Sequence, residues 1–274
     1  MTAKEVSSAD SRFEGSIPAL YDRYLVPLIF EPYARDMARI VADFEPGAVL
    51  ELAAGTGVVT RELARNLAPH VSIVATDLNQ AMLDQAAKVG TARPVEWRQA
   101  DAMQLPFADQ TFDVVACQFG VMFFPDKVQA FAEARRVLKQ GGHFVFNAWD
   151  RVEHNEMISV VCGAIDELHP EDPPRFMHRG PHGYADKAVI TRDLASAGFA
   201  RSEVTVVAHR SPAPSSLAPV MGYLHGSPLR MEIEAKGTHA LAQATAAAIA
   251  ALEKHFGPGP IEGRIQAHVV VAQG

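Results

Sequence analysis

Ala48-Val49-Leu50-Glu51-Leu52-Ala53-Ala54-Gly55-Thr56-Gly57 runs directly into Val58-Val59-Thr60-Arg61-Glu62-Leu63-Ala64-Arg65-Asn66-Leu67. The first five residues form a short apolar run that ends in small residues, as a buried parallel strand does. Ala53, Gly55 and Gly57 keep bulky side chains away from the backbone, so a ligand can approach it closely. Leu63 and Leu67 then recur at helical spacing. A strand, a glycine loop and a helix in this order bind a nucleotide-like ligand across the strand ends. No Gly-Lys-Ser/Thr follows, which excludes a P-loop. The dinucleotide fingerprint wants a small residue three positions past its second glycine, and Thr60 stands there. A purely structural turn is the alternative, and the following segments decide between the two.

Val71 to Leu78 reads as a second buried strand ending in Asp77, which lies 20 positions after Gly57. An ionised carboxylate there is acceptor-only and can take both hydroxyls of a ribose. Asn79 is placed to cap the helix carrying Met82, Leu83, Ala86 and Ala87. Pro94 to Gln99 reads as strand three, followed by Asp101-Ala102-Met103-Gln104-Leu105-Pro106-Phe107. Phe112 opens strand four, where Asp113 is expected to tie the strand entry to neighbouring backbone amides. Gln118 and Phe119 end that strand beside the expected crevice. Phe131, Ala134 and Leu138 share one helical face, Lys139-Gln140-Gly141-Gly142 reads as a helix stop, and His143 to Trp149 as strand five.

The spacing Glu51-x-Ala53-x-Gly55-x-Gly57 resembles motif I of the class I S-adenosylmethionine (SAM) methyltransferases, with Ala53 where the first glycine usually stands. Leu105-Pro106-Phe107-x-Asp109-x-x-Phe112-Asp113 and Leu138-Lys139-Gln140-Gly141-Gly142 strengthen the resemblance, the latter with Gln140 in place of proline. Residues 45–150 carry it closely, and the nearest look is the ubiquinone/menaquinone-biosynthesis group. The resemblance implies an α/β fold: three layers, Rossmann-like, a seven-stranded sheet of order 3-2-1-4-5-7-6 with the last strand antiparallel, and a helical cap. It implies SAM as cofactor, S-adenosylhomocysteine as product and a small-molecule methyl acceptor taking the methyl on O, N or C. It also implies the cofactor set Tyr21, Glu51, Ala53, Gly55, Gly57, Asp77, Leu78, Met82, Asp101, Ala102, Met103, Gln118 and Phe119. In that set Asp101 faces the adenine amine, Asp77 holds the ribose, and Ala53 and Gly55 flank the methionine portion. Met82 packs on adenine or simply in the core. Glu51 orders the loop or reaches the methionine ammonium through water, and Gln118 and Phe119 face either methionine or acceptor. No catalytic base announces itself; Tyr21, Trp149 and His154 are the candidates near the acceptor side.

The 274 residues hold 48% hydrophobic residues, at a mean hydropathy near zero, enough for a substantial core. A net charge of −7 offers no general field for nucleic acid or anionic membrane. Cys117 and Cys162 stand far apart without metal-ligand company, and the four histidines between 150 and 184 are irregularly spaced, so no disulfide framework and no metal site is expected. No apolar run reaches about 18 residues, so a cytoplasmic protein without a membrane span is expected.

Four regions follow from this reading: a helical lid (1–44), a SAM-binding core (45–210), a helical cap insertion (211–262) and a final core strand (263–274). Residues 1–12 read as a polar start, and Pro18, Pro27 and Pro32 are expected to divide the region 13–41, with Tyr21, Tyr24, Phe30 and Tyr33, into short helices. Asp186–Ala197 reads as a helix, 204–208 as strand six and 266–272 as strand seven. The alanine-rich stretch 239–252 reads as a helix that shapes the acceptor pocket or forms a homodimer face. Two other functions share parts of the pattern. An NAD(P)-dependent oxidoreductase shares the strand, loop and ribose acid but not the glycine spacing, and a non-catalytic SAM-binding regulator would carry the same binding residues.

Overall fold

A computed structural model describes residues 17–274; the expected polar start lies outside the described residues. Its strands are β1 (Ala48–Glu51), β2 (Ser72–Asp77), β3 (Glu96–Gln99), β4 (Phe112–Gln118), β5 (Leu138–Trp149), β6 (Arg201–Ala213) and β7 (Ile261–Gln273). They form one sheet in the order β3-β2-β1-β4-β5-β7-β6. The first five are parallel to their neighbours, and β7 runs antiparallel to β5, with Val270 opposite Phe146. This is the order and the reversal the sequence implies.

Alternation along the strands sends successive side chains to opposite faces. Val49, Val114, Ala116 and Val145 pack with Met37, Ala38 and Val41 of the Glu31–Asp43 helix and with Val59 and Leu63 of the Val58–Asn66 helix. On the other face, Phe144 and Phe146 meet Phe131 of the Lys127–Val137 helix at 5.5 and 5.4 Å between ring centroids. Two helical layers therefore sandwich the sheet, and truncating a ring such as Phe131 to alanine would cost about 3–5 kcal/mol.

Several boundaries differ from the sequence reading. β6 covers 201–213 rather than 204–208, because at the sheet edge exposed polar residues alternate with half-buried ones and leave no apolar run. Pro212 is tolerated on that edge strand. β7 starts at Ile261, hidden behind the Gly-Pro run, where Ile261, Gly263 and Ile265 are buried between exposed Glu262 and Arg264. The Lys127–Val137 helix ends before Leu138, which opens β5 opposite Phe112. Lys139–Gly142 is thus a bulge rather than a helix stop: pairing resumes only at Val114 with His143. Gly142 is required there, since a Cβ would lie 2.8 Å from the Asp113 carbonyl oxygen.

The prolines near the start do not divide the chain into separate helices. Residues 17–43 are helical throughout. Tyr21–Phe30 is wound as a wide π-helix that accommodates Pro27, and Pro32 falls in the first turn of Glu31–Asp43, where a missing N–H costs little.

The described residues divide into two compact units. One comprises 31–149, 184–207 and 267–274 and contains the core of the sheet. The other comprises 17–30, 150–183 and 208–266. The sequence reading kept 150–183 in the core and began the cap at 211. The structure groups 150–183 with 208–266 because the Glu156–Leu168 helix packs against Ala240–Phe256. Ala240, Ala244, Ala248 and Leu252 form the buried stripe of the latter. That stripe is covered inside the unit, whereas Ala242, Ala246 and Ala250 form an exposed stripe on the same helix.

Candidate functional site

The glycine loop is pinned at both ends. Leu52 N–H donates to Ala116 O at 2.8 Å and Ala54 N–H to Thr76 O at 2.9 Å, so the loop hangs between the carboxyl ends of β4 and β2. Ala53, Gly55 and Gly57 all have left-handed φ, at 51°, 56° and 82°. At Gly57 a Cβ would also lie 2.9 Å from the Trp97 ring and 3.1 Å from Ala86. Arg61 reaches back to donate to Thr56 O at 2.7 Å. The Thr56 hydroxyl is buried and has no partner among the described residues.

Two buried carboxylates flank this loop. Glu51, 1% exposed, accepts one short hydrogen bond, 2.6 Å from the Thr60 hydroxyl. Burial pushes its pKa up to about 8, against the opposing pull of Thr60 and Arg61. Thr60, the residue that breaks the dinucleotide fingerprint, is the partner of the acid. Asp77 accepts from Gly55 N–H at 2.8 Å through one oxygen and from Asn79 N–H at 2.8 Å through the other. Burial raises its pKa, and those amides together with the Asn79 side chain hold it back. Asn79 does precede the Gln80–Val89 helix, but its side chain makes no capping bond; it serves Asp77 instead.

The other expected residues stand as follows. Leu78 follows Asp77 and is 52% exposed, an apolar side chain left open at the end of β2. Met82 is buried on the next helix, its methyl 3.7 Å from where a Gly55 Cβ would sit. Asp101 is exposed, and one oxygen closes a turn by accepting from Met103 N–H at 2.9 Å. Ala102 and Met103, half-buried, form that turn. Gln118 ends β4, its side-chain oxygen 3.5 Å from the Asn147 amide nitrogen. Phe119 takes a left-handed φ of 52° and stacks on Trp149 at 3.7 Å, with Tyr33 edge-on to both. Tyr21 belongs to the other unit, where it stacks on Phe30 at 5.0 Å.

Asp113 behaves as expected of a structural acid at the opposite end of the sheet. It accepts from Gly47 N–H at 2.9 Å and Ala48 N–H at 2.8 Å, and Lys139 bridges its other oxygen at 2.8 Å. Two features escaped the sequence reading. One is the buried Thr56 hydroxyl in the glycine loop. The other lies in the second unit, where buried Asp150 is 3.0 Å from His154; the i, i+4 spacing of acid and imidazole was its only sequence signal.

At the carboxyl ends of β1 and β2 the chain thus gathers loop amides, a hydroxyl without a partner among the described residues, two buried acids and an exposed leucine. That donor and acceptor set fits a nucleoside ligand with free hydroxyls, a flat ring and a cationic group, and fits SAM. Residues 50–146 match the family model described as a methyltransferase domain. The ubiquinone/menaquinone biosynthesis C-methyltransferase of Saccharophagus degradans is 41% identical over 168 residues, covering 57% of this chain and 68% of that protein. The demethylmenaquinone methyltransferase of Deinococcus radiodurans is 41% identical over 126 residues, covering 45% of this chain and 50% of its own. Among solved structures, the YcgJ protein of Bacillus subtilis shares the fold at a TM-score of 0.58 and 16% identity, over 88% of this chain and 98% of that one. Motifs, sheet order and relatives agree, and the chain belongs to the class I methyltransferases that take their methyl group from S-adenosylmethionine.

Proposed function

We propose that this methyltransferase acts on a small hydroxylated or enolisable ring compound and holds its methyl donor through the acids at the carboxyl ends of β1 and β2. The carrying observation is the Glu51–Gly55–Asp77 arrangement, in which two buried acids, both shifted upward by burial, flank a left-handed glycine loop whose Gly55 amide already points at Asp77. Asp77 takes the ribose diol and Asp101 the adenine amine through its second oxygen. Leu78 and Met82 cover the adenine ring, with Ala102 and Met103 at its edge. Ala53, Gly55 and Gly57 bring the backbone against the methionine portion, the Thr56 hydroxyl finds its missing partner there, and Glu51 answers the ammonium. Gln118 and Phe119 close the methionine side. The names of the two relatives, a ubiquinone/menaquinone biosynthesis C-methyltransferase and a demethylmenaquinone methyltransferase, support a ring acceptor.

The bound donor supplies a methyl group on a positively charged sulfonium. Charge disperses as the methyl moves to a neutral or anionic acceptor, so the protein's main contributions are alignment and exclusion of water. A phenolic acceptor also needs a group to take its proton.

Calorimetric titration with SAM, S-adenosylhomocysteine and NADH tests the cofactor assignment. Saturable binding of the two adenosyl ligands without NADH is expected, and NADH alone would overturn it. Label transfer from methyl-labelled SAM to 1,4-dihydroxynaphthalene, catechol and benzylamine then tests the acceptor. Methylation of either diol is expected; transfer to the amine alone would overturn the ring reading.

A further inference from the structure

The last level of the sheet carries a row of buried polar side chains on one face. Val49, Ile73, Val114, Ala116 and Val145 share the face packed by the Glu31–Asp43 and Val58–Asn66 helices. Alternation puts Glu51, Asp77, Gln118 and Asn147 on that same face. Register sets their heights: Glu51 is level with Ala75 and Ala116, so Asp77 and Gln118 both stand two residues above it. Gln118 in turn pairs with Asn147. The row therefore reads Asp77 on β2, Gln118 on β4 and Asn147 on β5, with the glycine loop that follows β1 between the first two. A Cβ on Gly120 would lie 2.5 Å from the Ala53 Cβ, so the loop touches the segment leaving β4.

Asn147 is the member of this row that the chain uses least. Its backbone carbonyl accepts from Phe119 N–H at 3.1 Å, a service any residue would supply. Its side-chain nitrogen reaches the Gln118 oxygen only at 3.5 Å, the limit of a hydrogen bond. Its Oδ1 is buried and has no partner among the described residues, and the residue as a whole is 1% exposed. A buried amide left half-paired destabilises a chain, and leucine would fill the same volume without that cost. The neighbours are those of a ligand wall. Trp149, two residues on and on the same face, stacks on Phe119. The left-handed φ of Phe119 is a strained conformation of the kind that gathers at ligand sites. A carbonyl oxygen beside flat rings suits a flat compound that carries a hydroxyl.

The order of the row separates donor from acceptor. Asp77, the loop and Gln118 go to ribose and methionine in the reading above, and Asn147 stands one strand, about 4.8 Å, past the methionine end. We propose that Asn147 selects the acceptor: its Oδ1 accepts a hydrogen bond from a ring hydroxyl other than the atom that takes the methyl. That bond holds the ring at the angle for attack on the sulfonium methyl. The inference rests on the ring-acceptor reading above. No proton leaves the acceptor through Asn147, since its amide oxygen only accepts a hydrogen bond; its contribution is orientation.

The test uses the full chain with 1,4-dihydroxynaphthalene, kept under nitrogen, and with 1-naphthol, which lacks the second hydroxyl. Wild type should prefer the diol. Asn147→Leu should lower kcat/KM for the diol by about 10–10²-fold and leave that for 1-naphthol within a factor of about three. SAM affinity should stay at the wild-type value, and Tm should hold or rise, because the variant buries no lone carbonyl. Asn147→Val, whose side chain suits a strand, makes the same comparison if the leucine variant loses its fold. An equal loss for both compounds would mark a structural role and overturn the proposal. A loss of SAM affinity of about tenfold or more would also overturn it, by giving the oxygen to the methionine ammonium. A second readout needs no turnover: calorimetric titration of the S-adenosylhomocysteine-bound protein should show the diol binding more tightly than 1-naphthol, with the difference gone in Asn147→Leu. If that difference is found but wild type transfers no methyl to the diol, the ring-acceptor reading fails and the role of Asn147 stands. If wild type methylates the diol and the variants keep its preference over 1-naphthol, this proposal fails alone. Wild type indifferent to the second hydroxyl in both readouts overturns it as well.

Discussion

The two ends of the central sheet carry the same functional group in opposite conditions. At the amino end of β4, Asp113 is partly exposed and meets two backbone amides and a lysine. Burial pulls its pKa upward, but Lys139 and the Ala48 and Gly47 amides outweigh that, and the carboxyl sits below its ordinary value. At the carboxyl ends of β1 and β2, Glu51 and Asp77 are buried and both shifted upward, by burial first, although Asp77 accepts from the Gly55, Leu78 and Asn79 amides and the Asn79 side chain. An acid whose charge is answered within the chain has a structural job. Buried acids whose ionised form burial disfavours cost folding free energy, and such groups cluster where ligands bind.

The comparison breaks most visibly at Asp77. Asp77→Ala removes the acceptor for a ribose diol and should weaken SAM binding by roughly 10²–10³-fold, the worth of two hydrogen bonds to a charged group. Calorimetry measures this, with circular dichroism confirming that the fold survives. Unchanged affinity would sever the link between these buried acids and the ligand.

Glu51 sharpens the comparison through pH. Below about 4.5, its ordinary value, the group is protonated folded and unfolded alike and contributes nothing. Between 4.5 and about 8 only the unfolded chain ionises, so stability falls as pH rises, and above 8 the loss is complete. By pH 7 the loss amounts to about 3 kcal/mol. Glu51→Gln should flatten that slope in denaturant titrations run across the window. It should also abolish proton release on SAM binding, read by calorimetry in buffers of different ionisation enthalpy. A wild type without the slope would mean that Glu51 is already ionised in the folded protein.

Asp113→Ala is the control at the other end. It should destabilise the protein by about 1–2 kcal/mol, toward the low side because solvent screens the pair, and leave SAM affinity alone. Asp113's stabilisation is present above its ordinary value of 3.8 and is lost as pH falls through the lower folded value. Wild type should therefore lose more stability than the variant below pH 3.8. A loss of SAM binding here would erase the distinction between the two ends.

How much of this was legible in the sequence follows from what each element depends on. β1, the glycine loop and Asp77 are local: a short apolar run, small residues and an acid at fixed spacing mark the strand, the turn and the strand end without help from distant residues. Asp113 was readable for the same reason, since the strand it anchors begins beside it. The Lys139–Gly142 bulge was misread because Gly142 is there to avoid a clash with a neighbouring strand, which composition cannot display. Only the 204–208 part of the edge strand β6 was legible, since its flanks carry no apolar run, and the grouping of 150–183 with 208–266 depends on a helix pair far apart in sequence. The Asp150 cluster includes Gln266, more than a hundred positions away, so only its local half, Asp150 and His154, left any trace.

Ala53 gives the smallest and most discriminating measurement. It stands where the family's loop usually has glycine, and its backbone is left-handed at φ 51°. That conformation costs an L-residue about 1–2 kcal/mol, whereas glycine gives back about 0.5–1 kcal/mol through its freer unfolded chain. Ala53→Gly should therefore be neutral to slightly stabilising, by at most about 1 kcal/mol or a few degrees in Tm. The loop is pinned by the Leu52 and Ala54 amides on either side, so SAM affinity should change little. If the variant instead binds SAM much more weakly at unchanged Tm, the methyl of Ala53 contributes to the ligand's surroundings. The carboxyl end would then be built by side-chain packing as well as by buried charge, and its contrast with the amino end would need a second cause.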